Sequence, residues 1–234
     1  MRRVGILGGM GPQATILLMQ KILDATPAAD DADHIPLIVD QNPQVPSRIR
    51  RLIEGVGEDP APALADMARR LVAAGAQALA MPCNTAHHYA PEIRAATSVP
   101  FIDMVDLSVR HAARVAGPGA SVGILASPAV RRIGLFDAAL AGLGVKPLYH
   151  ADEDALLLAI RRIKATGPGP EAAQTLAEAS HALLQQGGKV QMIACTEFSL
   201  LADATAKGVT VFDTLDILVA AIRDYATGGT SGDR

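Results

Sequence analysis

The chain has 234 residues, half of them apolar and only 3% aromatic, with a net charge of -3 and an isoelectric point near 6.0. It is long enough for one large domain or two small lobes with a core of Ala, Leu, Val and Ile, and its charge leaves no electrostatic footprint for nucleic acid or an anionic membrane. No apolar run approaches the roughly 18–20 residues that cross a bilayer, Met1-Arg2-Arg3 leads straight into a strand pattern rather than a signal peptide, and two cysteines are too few for a disulfide framework, so the expectation is a soluble, cytoplasmic protein.

Val4-Gly5-Ile6-Leu7 predicts a short buried strand. Gly8-Gly9-Met10-Gly11-Pro12 is the turn after it, with Pro12 placed as the first residue of a helix to about residue 25. Gly9 to Ala14 also fits the dinucleotide fingerprint G-x-G-x-x-G/A, with Asp40 at the end of the next strand. The same glycines serve equally as a turn that lets the backbone approach a small carboxylate or the sheet itself. The second strand is expected at residues 35–39. After it comes Asp40-Gln41-Asn42-Pro43-Gln44-Val45-Pro46-Ser47-Arg48, too rich in proline for a helix or a central strand. A loop at a parallel strand's C-terminal end is where open sheets bind ligands. Its prolines would hold Arg48 in a fixed place, and a solvated surface cation is the competing reading.

Helices are expected at residues 60–74, 91–96 and 105–116, with strands at 77–81 and 100–102. After the break Gly117-Pro118-Gly119 the pattern starts again, and Gly-Ile-Leu recurs at Gly123-Ile124-Leu125 as it stood at Gly5-Ile6-Leu7. Helices follow at 130–141, 152–165 and 171–186, then a strand into Cys195, a last strand at 209–211, a last helix at 215–225 and a disordered tail at 227–234. Strands alternating with helices of about 10–15 residues make an α/β protein with mainly parallel sheets flanked by helices. The repeat makes two similar lobes related by pseudo-two-fold symmetry, with the active site between them. Residues 1–104 plus 209–226 form the first lobe and 105–208 the second.

The cysteines sit in matching places. Ala78-Leu79-Ala80 runs into Met81-Pro82-Cys83-Asn84-Thr85-Ala86-His87-His88, and Val190-Gln191-Met192-Ile193-Ala194 runs into Cys195-Thr196-Glu197, each with a glycine eight residues before the cysteine (Gly75, Gly187). Each reads as a strand turning directly into a helix, where free backbone N–H groups favour a thiolate. Four chemistries compete. The thiols could be structural, since free cysteine is among the most buried residue types. They could form a redox pair, although they lack the C-x-x-C spacing. Cys83 with His87 and His88 could start a metal site, but that spacing gives at most part of one ligand set, with the histidines about 100° apart on a helix. They could instead be opposed acid–base groups. Racemisation needs a base on one face of the α-carbon and an acid on the other, and a thiol with an ordinary pKa of about 8.5 is readily poised for both. Asn84, Thr85 and Thr196 could then hydrogen-bond the substrate's ammonium and carboxylate.

Together these residues resemble the cofactor-independent aspartate/glutamate racemases. The matching pieces are Gly8-Gly9-Met10-Gly11-Pro12, Pro43-Gln44-Val45-Pro46-Ser47-Arg48, Pro82-Cys83-Asn84-Thr85-Ala86-His87, Lys164, Cys195-Thr196-Glu197 and Phe212-Asp213-Thr214, spread over nearly the whole chain. The resemblance implies Cys83 and Cys195 as catalytic groups, no pyridoxal phosphate or metal, an amino-acid substrate and a homodimer. It also implies that Arg48 and Lys164 hold the substrate's side-chain carboxylate, with Met10, Gln44 and Ser127 completing the binding set. Without it, Lys164 reads equally as a cation at its helix's C-terminus. One stretch departs from the family pattern. Where the family carries Ala-Thr-x-Gly-Thr, this chain has Ala126-Ser127-Pro128-Ala129-Val130, which keeps one hydroxyl and loses a glycine and a threonine expected to bind the α-carboxylate or shape the entrance. Two other functions stay open: an NAD-dependent oxidoreductase, resting on the glycine fingerprint, and a non-catalytic small-acid-binding protein.

Overall fold

The computed structural model describes residues 1–229. The first sheet is built from β1 (Val4–Gly8), β2 (Leu37–Gln41), β3 (Ala78–Ala80) and β4 (Phe101–Ile102), in the order β2-β1-β3-β4. The second contains β5 (Ser121–Ala126), β6 (Lys146–Tyr149), β7 (Val190–Ala194) and β8 (Thr210–Asp213), in the matching order β6-β5-β7-β8. Every strand pair is parallel. β1 is buried throughout, as expected for a central parallel strand covered on both faces.

Helices α1 (Pro12–Asp24), α2 (Arg48–Leu52), α3 (Ala61–Ala73) and α4 (Ala90–Ala96) belong to the first half of the chain. Helices α5 (Met104–Ala116), α6 (Pro128–Arg132), α7 (Asp137–Gly142), α8 (Glu153–Thr166), α9 (Pro170–Gln185) and α10 (Thr214–Thr227) complete the set. One face of the first sheet packs on Leu64, Met67 and Leu71 of α3 and Ile93 of α4. Its other face packs on Leu18 and Ile22 of α1 and on Leu215, Leu218 and Ile222 of α10. The second sheet is covered by α8 and α9 on one side. Val109 and Ala112 of α5 and Leu140 of α7 cover the other. Each lobe's last strand thus sends its following helix to close the opposite lobe.

Several expectations need correction. Residues 209–226 are expected in the first lobe, but β8 pairs with β7 through Val190↔Thr210 to Ile193↔Asp213, so only α10 returns. The helix expected at 130–141 is two helices, because the chain turns at Gly134 with φ 61°, a left-handed conformation that suits glycine. β6 was not foreseen. It is a partly exposed edge strand centred on Pro147, which removes both the apolar run and one ladder donor. α2 was not foreseen either, since it begins just after the prolines, where the Ser47 hydroxyl accepts from Arg50 N at 3.3 Å and caps it. β2 starts at Leu37 rather than residue 35. Of the expected disordered tail, Thr227 ends α10 and Gly228 caps it, while residues 230–234 lie outside the described part.

Candidate active site

The C-terminal ends of the central strands of both sheets meet around a cavity of about 40 Å³. From the first lobe come Met10 after β1, Ser47, Arg48 and Ile49 from the start of α2, and Cys83 and Thr85 after β3. From the second come Ser127 after β5, Ile160 and Lys164 on α8, and Cys195 and Glu197 after β7. A wider vestibule of about 380 Å³ adjoins it, lined by Gly9, Gly11, Pro12, Gln13 and Leu200 among others. Ser47, Arg48, Lys164 and Glu197 wall both spaces. Gly9 allows this arrangement. Its φ is 91°, and a Cβ there would lie 2.4 Å from the Asn42 backbone, so the turn after β1 packs directly on the loop carrying Arg48.

Both thiols are free and buried, at 7% and 6% exposure. Neither is followed by an α-helical N-terminus as expected. Short 3-10 helices follow instead, at Thr85–Tyr89 and Phe198–Ala204. Cys83 N donates to Met81 O at 3.0 Å, which makes the turn. His87 holds that turn in place. Its Nε2 accepts from Met104 N at 3.2 Å, so the proton sits on Nδ1, which donates to Cys83 O at 2.9 Å. Burial also pushes the His87 pKa down, although Asp103 opposes it.

Cys195 Sγ donates to Glu197 Oε2 at 3.1 Å. Burial, then the charge and hydrogen bond of Glu197, push this thiol well above its ordinary pKa, and Lys164 only partly offsets them. The thiolate expected from the helix-end argument is therefore reversed here. Cys195 rests as a thiol, because desolvation and an adjacent carboxylate outweigh the peptide dipoles of one short turn. Lys164 Nζ lies 3.0 Å from Glu197 Oε1. Burial pulls Lys164 down, but the charge and hydrogen bond of Glu197, then the two cysteines, leave its pKa raised on balance, so it stays a cation. Arg48 Nη1 donates to Val45 O at 3.2 Å and Pro46 O at 2.9 Å, while its buried Nε has no partner. The Ser127 hydroxyl accepts from Ala129 N at 3.3 Å and keeps its own hydrogen for donation.

Of the residues proposed from sequence, the structure brings Met10, Arg48, Cys83, Thr85, Ser127, Lys164 and Cys195 to the cavity wall. It does not bring Gln44, Asn84 or Thr196 there. Gln44 is exposed on the outer side of its loop, where Val45 turns inward. Asn84 is buried and donates Nδ2 to Thr214 Oγ1 at 3.0 Å, tying the Cys83 turn to the start of α10. Thr196 is buried away from both spaces. Glu197 joins the site beyond the residues expected from sequence, and its position two residues after Cys195 is the signal that marks it. Among the described residues no three His, Cys, Asp or Glu side chains converge to hold a metal ion. Asp40, the acidic residue of the dinucleotide pattern, is engaged by Arg70 Nη2 at 2.7 Å.

Comparison with known proteins agrees with this geometry. The Asp/Glu/Hydantoin racemase family profile matches residues 7–222. The broad specificity amino-acid racemase RacX of Bacillus subtilis (strain 168) is 25% identical over 217 residues, covering 90% of this chain and 92% of that protein. The Picrophilus torridus aspartate racemase structure superposes with a TM-score of 0.86 at 25% identity, covering 97% of this chain and 95% of the other. The glutamate racemase isoform RacE1 of Bacillus anthracis shares the fold, with a TM-score of 0.65 at 18% identity over 99% and 85% of the two chains. No helix among the described residues is long and apolar enough to cross a membrane. The two facing lobes, with a cysteine at each central strand end, therefore carry a family assignment that spans almost the whole sequence: this chain belongs to the Asp/Glu/Hydantoin racemase family, and it is an isomerase.

Proposed function

We propose that the protein interconverts the enantiomers of aspartate or glutamate without pyridoxal phosphate, with Cys83 and Cys195 acting on opposite faces of the α-carbon. The observation that carries this reading is one cavity lined by both cysteines, one from each lobe, beside Arg48 and Lys164. With Cys195 as the thiol, Cys83 acts as the thiolate. The α C–H bond breaks as Cys83 S–H forms, and its electron pair spreads into the α-carboxylate. The Cys195 S–H bond then breaks as a new C–H bond forms on the other face.

The two cations support an acidic substrate. Arg48 and Lys164 stand together in the wall, where a side-chain carboxylate would meet two cations, although Glu197 and a Cys83 thiolate balance their charge. Arg48 Nε and Lys164 would take the side-chain carboxylate, and Thr85 and Ser127 the α-carboxylate. The inner cavity is too small for a whole amino acid, so the side chain would pass between Arg48 and Lys164 toward the vestibule. A second reading rests on the Lys164–Glu197 pair. With Lys164 already neutralised, amino acids without a side-chain carboxylate fit as well, a breadth named in the Bacillus subtilis relative. Loss of optical rotation, run without added cofactor on each L- and D-amino acid, decides between them. The acidic reading expects kcat/KM for aspartate or glutamate to exceed that for alanine by roughly tenfold or more, as one charged hydrogen bond supplies.

The same reading includes a homodimer in the cytoplasm. Exposed Ile16, Met19 and Leu23 on α1 support a self-association surface, and two working thiols suit a reducing compartment. Sedimentation at a single dimer mass is the expected result, and a monomer at all concentrations would remove that part.

A further inference from the structure

Each racemising turnover leaves the two thiols in the opposite protonation state. Once Cys195 has given its proton and Cys83 has gained one, a second molecule of the same enantiomer needs Cys195 reprotonated. A cavity of about 40 Å³ holds only a few waters. A side chain that touches both sulfur and the vestibule would give the proton a direct route.

Glu197 is placed to do this. Its Oε2 accepts from Cys195 Sγ at 3.1 Å, and the same side chain also lines the vestibule of about 380 Å³. The other charged groups at this point are Lys164 from α8, with Nζ 3.0 Å from Glu197 Oε1, and Arg48 from α2, with Nη1 bonded to its own loop. Neither cation is suited to deliver a proton to sulfur, because an arginine does not deprotonate and Lys164 is held as a cation by Glu197. Cys83 shares the cavity wall with no carboxylate except Glu197, which is bonded to the other cysteine.

We propose that Glu197 is the proton port of Cys195, a further catalytic residue that resets the free enzyme between turnovers. An O–H bond of hydronium or of a buffer acid in the vestibule breaks as the Glu197 O–H forms. That O–H then breaks as the Cys195 S–H forms, which restores the carboxylate, while Cys83 releases its proton to a solvent base. Lys164 keeps the carboxylate charged between transfers. This inference rests on the two-thiol reading above.

The test is Glu197→Gln, whose amide oxygen still accepts from Cys195 but cannot carry a proton. Resetting follows product release, so it limits kcat and not kcat/KM. The expected result is a fall in kcat of roughly 10²-fold, with kcat/KM lowered less than about fivefold. Added acetate, small enough for the vestibule, should restore kcat in the variant with rising concentration and leave the native enzyme unchanged. An unchanged kcat overturns the port. So do kcat and kcat/KM falling together without acetate rescue, the pattern of a purely structural or electrostatic role. Cys195→Ala, run in parallel, separates this from the underlying reading. If that variant racemises, the two-thiol reading falls and the port with it. If it is inactive while Glu197→Gln keeps its full kcat, only the port falls.

Discussion

The two lobes repeat each other in backbone and differ in charge. Both sheets have the same strand order, both place a cysteine after the third strand of the lobe, and both end in an aspartate that caps a helix crossing to the other lobe. Asp103 Oδ1 accepts from Val105 N at 2.9 Å and Asp106 N at 3.0 Å. Asp213 Oδ1 accepts from Leu215 N at 2.8 Å and Ser199 Oγ at 3.0 Å. Four residues after its cysteine, the first lobe has His87 bonded back to Cys83 O, where the second has Ser199 bonded to Asp213. Two residues after, the first has Thr85 and the second Glu197. Burial pushes Asp103 up, but the His87 ring, the Asp106 amide and Arg94 hold it below its ordinary value. Asp213 is buried with Oδ2 unpartnered and is pushed up to about 6 by burial. A repeated backbone therefore fixes where the acid–base groups stand, and the neighbours decide which form each one holds. That is how a near-symmetric pair can have one thiol resting as an acid.

The strongest way to break the comparison is to remove one thiol. Cys83→Ala or Cys195→Ala should each lower racemisation by roughly 10²–10⁴-fold, since each removes a general acid–base group. One variant should still exchange the α-proton of a single enantiomer with solvent. Optical rotation and proton NMR separate the two effects, and native-rate racemisation by either variant would end the symmetric two-thiol account.

Next in size are the cations. Arg48→Ala and Lys164→Ala should each cost about 1.5–3 kcal/mol in kcat/KM on aspartate or glutamate, roughly one to two decades. Alanine should lose less, and an equal loss on both substrates would mean these side chains do not read the substrate's carboxylate.

The two caps sharpen the comparison through stability. A folded-state pKa raised from 3.8 to about 6 means Asp213 contributes fully below pH 3.8, and that contribution is lost as pH rises through about 6. Asp213→Asn should therefore stabilise the protein at pH 8, on the order of 1–3 kcal/mol, and flatten the fall in Tm between pH 5 and 8. Asp103 is lowered, so its contribution is present above 3.8 and lost as pH falls through its folded value. Asp103→Asn should destabilise at pH 7 by about 1 kcal/mol. Thermal melts showing the same sign for both variants would contradict the difference between lobes.

The smallest effect concerns the altered turn. Ser127 reaches the cavity, but Ala129 and Val130 are buried in the core beneath it. Ala129→Gly with Val130→Thr should therefore leave kcat/KM on aspartate within about twofold while lowering Tm by a few degrees, because a buried hydroxyl is added. A clear gain in turnover would show that the family's missing groups act on the substrate after all.

Most of the architecture was legible because central parallel strands are short apolar runs, as at Ile6-Leu7 and Met192-Ile193, and glycines and prolines mark where helices begin and end. β6 was not, since Lys146-Pro147-Leu148-Tyr149 sits half-exposed at an edge with no apolar run to show it. Both cysteines and the two cations were legible as residue types at the ends of predicted elements. Their partners were not. The Asn84–Thr214 bond joins positions 130 apart, so no local pattern marks that Asn84 ties the Cys83 turn to the start of α10. The Cys195–Glu197 contact is local, yet spacing does not say that the carboxylate turns back onto the sulfur. Burial, which raises Cys195 and is outweighed at Lys164 by the neighbouring Glu197, depends on the meeting of two lobes.

The central claim is that two thiols, one per lobe, act on opposite faces of one carbon. Racemisation of L- and then D-aspartate or glutamate in D2O, sampled at low conversion, tests it most directly. The account predicts deuterium at the α-carbon of the product and protium retained in the remaining substrate, in both directions, because the acid that protonates is not the base that deprotonates. Deuterium entering remaining substrate as fast as product would mean a single base serves both faces, and would contradict it.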